Sequence, residues 1–336
     1  MRPRSCSGGR PYACKVAPSS DNRPAAVGLL SFAGEWNCRE FRLDWDEEFD
    51  VLCVGAGIGG LATAIVAADA DAEVMVVGAG RFADGRWDYQ PSAGPEVRTL
   101  GNLVRSWTDA DRPQEQPQAP PSDDESGEVT PEEATSDYFA ALIEELVPAG
   151  DQGTSGPTSG AVPCRQIREL SAAESNSRTV ETFIGERIAD WAQECLGSAA
   201  GAVYTTVRGW TSETMKDVCG QTVKVAPVDA VEAGPGVAVR DVFDRLMGAA
   251  ADRDIAVSSQ STLQSLVFDG GRVVGAVLDT PVGRNAVRVR HSVVFSPDFA
   301  DYGEAVEELQ DPAGEYVVAI VGSPASRFAR VELVAQ

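Results

Sequence analysis

The residues with the clearest chemical purpose are six in a row, Gly55-Ala56-Gly57-Ile58-Gly59-Gly60. Glycines at this spacing suit a turn that turns its backbone N–H groups toward phosphate. Gly55 allows the tight turn, Gly57 lets the backbone approach a pyrophosphate, and Gly60 lets the following helix pack close to the preceding strand. The start of that helix adds open N–H groups and the positive end of a dipole. A lone G-x-G-x-x-G is weak, because a glycine-rich turn also occurs in βαβ units without a ligand. Here the flanks add specificity: an apolar run over 49–54 reads as a buried strand, a helix extends to about residue 70, and 73–77 reads as a second strand. Ala64, four residues past Gly60, continues the small-residue face toward the sheet. The expected cofactor site is Gly55, Ala56, Gly57, Ile58, Gly59 and Gly60, holding the ADP half of a dinucleotide.

An acid at the end of the second strand would hold the ribose hydroxyls, but that position is Gly78. Without it a charge-assisted hydrogen bond of roughly 1.5–3 kcal/mol is forfeited, about 10- to 150-fold in affinity. Asp84 is a nearby substitute. Alternatively, Gly78 followed by Arg81 accommodates a 2′-phosphate and points to NADP. His291, the one histidine, has the chemistry of a general base, although a surface residue at a strand end is the plainer reading. Tyr204 is a candidate proton donor or an ordinary half-buried strand tyrosine. There is no G-x-S-x-G elbow, and no constellation identifies a catalytic residue. The seven cysteines have no C-x-x-C spacing and are odd in number, which fits reduced cytoplasmic thiols and no metal site.

The surrounding elements must position these groups. Thr130-Pro131-Glu132-Glu133 reads as a capping box opening a helix with Tyr138, Leu142, Ile143 and Leu146 on one face. A second helix covers 178–196, with Val180, Phe183, Ile184, Ile188 and Trp191 as a core stripe. Short strands are expected at 203–207 and 221–225. An amphipathic helix over 237–252 carries Val239, Val242, Phe243, Leu246 and Met247 inward, and a short strand follows at 255–257. Strands at 263–268, 272–278 and 286–295, with turns at Asp269-Gly270-Gly271 and 282–285, predict a three-stranded antiparallel meander. Further strands are expected at 316–321 and 331–334.

Two of these regions together resemble a known family. Residues 49–77 are similar to the FAD-binding start of the flavoproteins that include fumarate reductase and the 3-ketosteroid dehydrogenases. The helix over 237–252, the short strand and residues 266–277, with Asp269-Gly270-Gly271 at their turn, resemble that family's second FAD segment. The matching pieces cover about a third of the chain. The resemblance implies an α/β, Rossmann-like FAD/NAD(P)-binding domain, and a flavin that accepts hydride from a substrate carbon. The chain departs from the family at three places. Gly78 replaces the ribose acid, 81–101 has no glycine- and serine-rich flavin contact, and Phe295-Ser296-Pro297-Asp298-Phe299 stands where the family has an Ala-Thr-Gly-Gly turn.

Composition bounds the rest. The chain has 336 residues and a net charge of −23, which disfavours nucleic acid and anionic lipid as partners and favours a small molecule. No apolar run reaches the roughly 18 residues that span a bilayer. Residues 1–42, rich in arginine and poor in acids, read as a disordered tail. Residues 43–336 read as the FAD/NAD(P)-binding-like domain, with a disordered acidic, Pro-rich loop at 105–130 and a helical insert over about 160–230. Three functions follow: a FAD-binding, flavin-dependent oxidoreductase; an NADP-binding oxidoreductase; or a degenerate binding or scaffold protein on the same core.

Overall fold

The computed structural model describes residues 44–78, 82–83, 86–87, 99–109, 130–144, 162–176, 184–206, 212–232, 239–298 and 315–335. The expected tail at 1–42, most of the acidic loop at 105–130 and Arg81 lie outside them. In chain order the elements begin with β1 (Glu47–Val54), α1 (Ile58–Ala68), β2 (Val74–Gly78), β3 (Phe82–Ala83), β4 (Arg86–Trp87), α2 (Leu100–Asp109) and α3 (Pro131–Glu144). They continue with β5 (Cys164–Glu169), α4 (Ala172–Ser175), α5 (Ile184–Leu196), β6 (Gly201–Tyr204), β7 (Glu213–Asp217) and β8 (Thr222–Glu232). The last are α6 (Val239–Ala251), β9 (Ala256–Asp269), β10 (Arg272–Thr280), β11 (Gly283–Phe295), β12 (Glu315–Gly322) and β13 (Phe328–Ala335).

The result is a mixed α/β fold around a large mixed sheet of eleven strands. Two strand circuits make it up. In the first, β1 runs parallel to β2 and β11, and β2 runs parallel to the first part of β9. The rest of β9 pairs antiparallel with β10, and β10 with β11, which closes the circuit. In the second, β13 pairs with β12, β12 with β8, β8 with β7, β7 with β5, and β5 with β13. β6 joins the circuits, pairing with β11 on one side and β13 on the other.

Apolar pattern explains the first circuit. Leu52, Cys53 and Val54 on β1 are buried, as are Val76 and Val77 on β2. α1 buries Ile58, Leu61, Ala62, Ala64 and Ile65, because a helix apolar on most faces needs cover on most faces. It packs against α6, and Arg253 just past α6 forms a two-pronged bridge to Asp69 just past α1. On α3 the capping box forms as read: Thr130 Oγ1 accepts from the Glu133 N–H, and Glu133 accepts from the Thr130 N–H.

The helical insert expected over 160–230 requires correction. That stretch contains β5, β6, β7 and β8 as well as α4 and α5. β5 (Cys-Arg-Gln-Ile-Arg-Glu) buries one apolar side chain fully, Ile167, so its sequence has no strand-like alternation. β8 runs well beyond residue 225, through Pro227, which lies past the end of the β7 pairing where the ladder to β12 slips; proline is tolerated at such a place. Residues 105–109 belong to α2 rather than to a loop.

Candidate functional site

The glycine turn is positioned by three strands. The Gly55 N–H donates to the Val77 carbonyl of β2 at 2.7 Å, and the Ser296 N–H, just past β11, donates to the Val54 carbonyl of β1 at 2.9 Å. Gly55 has φ +114°, which strains any L side chain, and a Cβ there would strike the Ser296 carbonyl. α1 then starts with Gly57 as its N-cap. No side chain caps it and no acid lies in its first turn.

The space beside Gly57 is not open. A Cβ on Gly57 would strike the carbonyl oxygen of Pro297. The N–H of Ala56 donates to Asp298 Oδ1 at 2.8 Å. The segment that follows β11 therefore lies over the glycine turn, with a backbone carbonyl against Gly57 and a carboxylate on the neighbouring N–H. Gly60 makes its close contact within the turn, against the Gly55 carbonyl.

Phe295 fixes the start of this segment. It is 1% exposed, and its ring meets Trp107 of α2 at 5.1 Å and Phe139 of α3 at 4.9 Å, both edge-on. Such geometry suits aromatic quadrupoles. Three separate holds thus act on residues 295–298: an aromatic cluster, a sheet hydrogen bond and the Asp298 carboxylate.

A pyrophosphate does not fit the turn in this arrangement. The clearance at Gly57 is filled by the chain itself, and a phosphate at Ala56 would meet a carboxylate already bound there. At the ribose end, Gly78 closes β2 opposite Thr262 of β9, after a register shift. Thr262 is 1% exposed and its hydroxyl has no hydrogen-bond partner among the described residues.

The structure brings His291 and Tyr204 together, though at the other end of β1. Both line a cavity of about 300 Å³ between α1 and the sheet, together with Asp50, Thr63, Val66 and Ile320. The Tyr204 hydroxyl meets Thr63 Oγ1 at 2.9 Å, and Thr63 Oγ1 donates to the Gly59 carbonyl. Thr63 has one proton to give, so Tyr204 is the donor of that pair. Burial pushes the Tyr204 phenol well above its usual range, which keeps it protonated and disfavours proton transfer at neutral pH. His291 Nε2 lies 3.5 Å from Asp50 Oδ1. Burial disfavours the Asp50 carboxylate, but the Glu73 N–H, Arg290 and His291 outweigh it and lower its pKa.

Sequence reasoning noted Ser296-Pro297-Asp298 as a departure from a family turn but gave it no role at the site. The signal was an acid and a proline at the end of a strand bordering the glycine strand. Among the described residues no group of acids, cysteines and histidine is arranged to hold a metal ion. No helix among them is long and apolar enough to cross a membrane.

No protein-family model and no curated protein matches the chain. Solved structures give faint similarities. A 3-ketosteroid-Δ4-(5α)-dehydrogenase from Rhodococcus jostii RHA1 is 18% identical over 76% of this chain and 47% of its own, with a TM-score of 0.28. A flavocytochrome c3 fumarate reductase is 18% identical over 75% of this chain and 34% of its own, with a TM-score of 0.27. A geranylgeranyl bacteriochlorophyll reductase-like protein from Thermoplasma acidophilum is 14% identical over 85% and 56%, with a TM-score of 0.26. The chain spans roughly a third to a little over half of these proteins.

Proposed function

We propose that this chain is a non-catalytic binding protein on a Rossmann-like, FAD-type nucleotide-binding fold, with the phosphate loop closed by its own residues. One observation carries the reading: the Asp298 carboxylate sits on the Ala56 N–H while the Pro297 carbonyl fills the clearance at Gly57. The fold part rests on β1, α1 and β2 with parallel β9, and on β9, β10 and β11 pairing in succession before β11 returns beside β1. The cavity beside Tyr204 and His291 offers room for a small, mostly apolar molecule. A net charge of −23 argues against nucleic acid and anionic membranes as partners. The odd number of cysteines and their lack of C-x-x-C spacing suit a reducing, cytoplasmic setting.

A second reading is a flavin-dependent oxidoreductase of the fumarate reductase and ketosteroid dehydrogenase kind. The buried Thr262 hydroxyl opposite Gly78, without a partner among the described residues, favours it, because a ribose hydroxyl at that strand end would satisfy the group. Gly78 equally suits NADP, through its lack of a carboxylate.

An absorption spectrum of the purified full chain, with titrations of FAD and NADP, separates the readings. The expected result is no flavin bands and no saturable binding up to about 1 mM of either dinucleotide, a ceiling near 4 kcal/mol. A yellow protein with near-stoichiometric flavin overturns the binding-protein reading in favour of the enzyme. Tight NADP binding without flavin favours the NADP enzyme.

A further inference from the structure

The first turn of α1 has no acid of its own, yet its positive end is not left without an anion. The carboxylate comes from Asp298, 242 positions further along the chain. A carboxylate and a phosphate oxygen want the same thing from such a turn: backbone N–H donors and the favourable end of the helix dipole. Proline at 297 holds φ near −65°, and the Ser296 hydrogen bond to Val54 fixes the residue before it to the sheet. The Pro297 carbonyl is thereby held over Gly57.

We infer that Pro297-Asp298 is a built-in anion plug, and that these two residues set the phosphate loop against diphosphates. The inference rests on the reading above, that the loop is closed by the chain itself. It deepens that reading by assigning the closure to one charge and one ring rather than to the general decay of the site. Gly55, Gly57, Gly59 and Gly60 then remain a competent cradle beneath the plug.

ADP is the probe, because it brings the diphosphate without a flavin ring. Titrations compare the full-length wild type with Asp298→Asn and with the double variant Pro297→Gly/Asp298→Gly. Wild type stays silent. The double variant gains affinity by roughly 10- to 150-fold, the worth of one charge-assisted hydrogen bond no longer competing. Asp298→Asn keeps the side-chain shape and an acceptor, so it folds like wild type and gains less. The Ala56 amide resonance reads the site directly: ADP moves it in the double variant and leaves it in place in wild type.

If all three proteins fold and none binds ADP, the plug is overturned while the binding-protein reading stands. If wild type binds as tightly as the double variant, both fail together. If the double variant does not fold, Asp298→Asn decides alone: a gain over wild type supports the plug, and no gain overturns it.

Discussion

The two strand circuits bury polar atoms in opposite ways. Around the glycine turn the hydrogen bonds are backbone pairs and two short hydroxyl contacts, from Thr63 and Ser296, and one carboxylate arrives from afar to satisfy one N–H. In the second circuit the buried polar atoms are side-chain charges. Glu332 of β13 is fully buried and accepts from Arg165 Nε and Nη2 and from Arg330 Nε. Arg165 also reaches Asp217 of β7 at 3.0 Å, and Arg330 reaches Glu194 of α5 at 3.1 Å. The Trp191 ring of α5 lies against both guanidinium groups, 5.6 Å from Arg165 and 5.1 Å from Arg330, and its Nε1–H donates to the Phe328 carbonyl. The first region depends on small residues and exact clearance. The second depends on charge complementarity, supplied in part by Arg330 two positions from Glu332 and otherwise by other strands and α5.

That contrast predicts different sensitivities. Glu332→Ala removes the shared acceptor of two partly buried guanidinium groups, leaving Arg165 with Asp217 and Arg330 with Glu194, and is expected to destabilise by up to about 3–5 kcal/mol. Urea unfolding checks it; a loss under about 1 kcal/mol would place the network among weak surface pairs. Gly57→Ala drives a methyl into the Pro297 carbonyl, and an overpacking cost of about 1–3 kcal/mol is expected. That cost should shrink in the Pro297→Gly/Asp298→Gly background, and equal cost in both backgrounds would separate Gly57 from the plug. Trp191→Phe keeps a ring between the arginines but loses the Phe328 hydrogen bond, for an expected cost of about 1 kcal/mol in thermal or urea unfolding.

The smallest effect is kinetic. Burial pushes the Cys53 thiol on β1 up to about 12, and burial likewise raises Cys195 on α5. The thiolate is the reactive form, so neither is expected to react with a thiol reagent in the native protein at pH 8. Among the described cysteines, exposed Cys219 is expected to react first. Because Cys53 reports the first circuit and Cys195 the second, Glu332→Ala should accelerate labelling of Cys195 more than of Cys53. Equal acceleration would mean that the two circuits open as one unit.

Several features were legible because they are local. The capping box at Thr130 to Glu133 needs four adjacent residues, and the Asp269-Gly270-Gly271 turn needs three. The three strands around that turn extend from their expected cores of 263–268, 272–278 and 286–295 to Ala256–Asp269, Arg272–Thr280 and Gly283–Phe295. β5 was not legible, since its inward Arg165 reads as a surface residue until Glu332 and Asp217 are placed beside it. β8 extends past the expected 221–225 because its pairing with β12 carries it through Pro227, and adjacent residues do not reveal that pairing.

The sequence by itself determined the glycine turn, since its requirement for small residues and for φ +114° at Gly55 is steric and confined to a few neighbours. It likewise determined the apolar strand before the turn and the helix after it. Only the tertiary structure decided what the turn faces. β11 must return beside β1 before Ser296 can bond Val54 and Asp298 can reach Ala56, and that juxtaposition depends on sheet pairing across more than two hundred residues. The same holds for His291 and Tyr204, unrelated in sequence and brought to one cavity because β6 pairs with β11. Local sterics are written in adjacent residues; which charge meets which backbone donor depends on how the sheet closes.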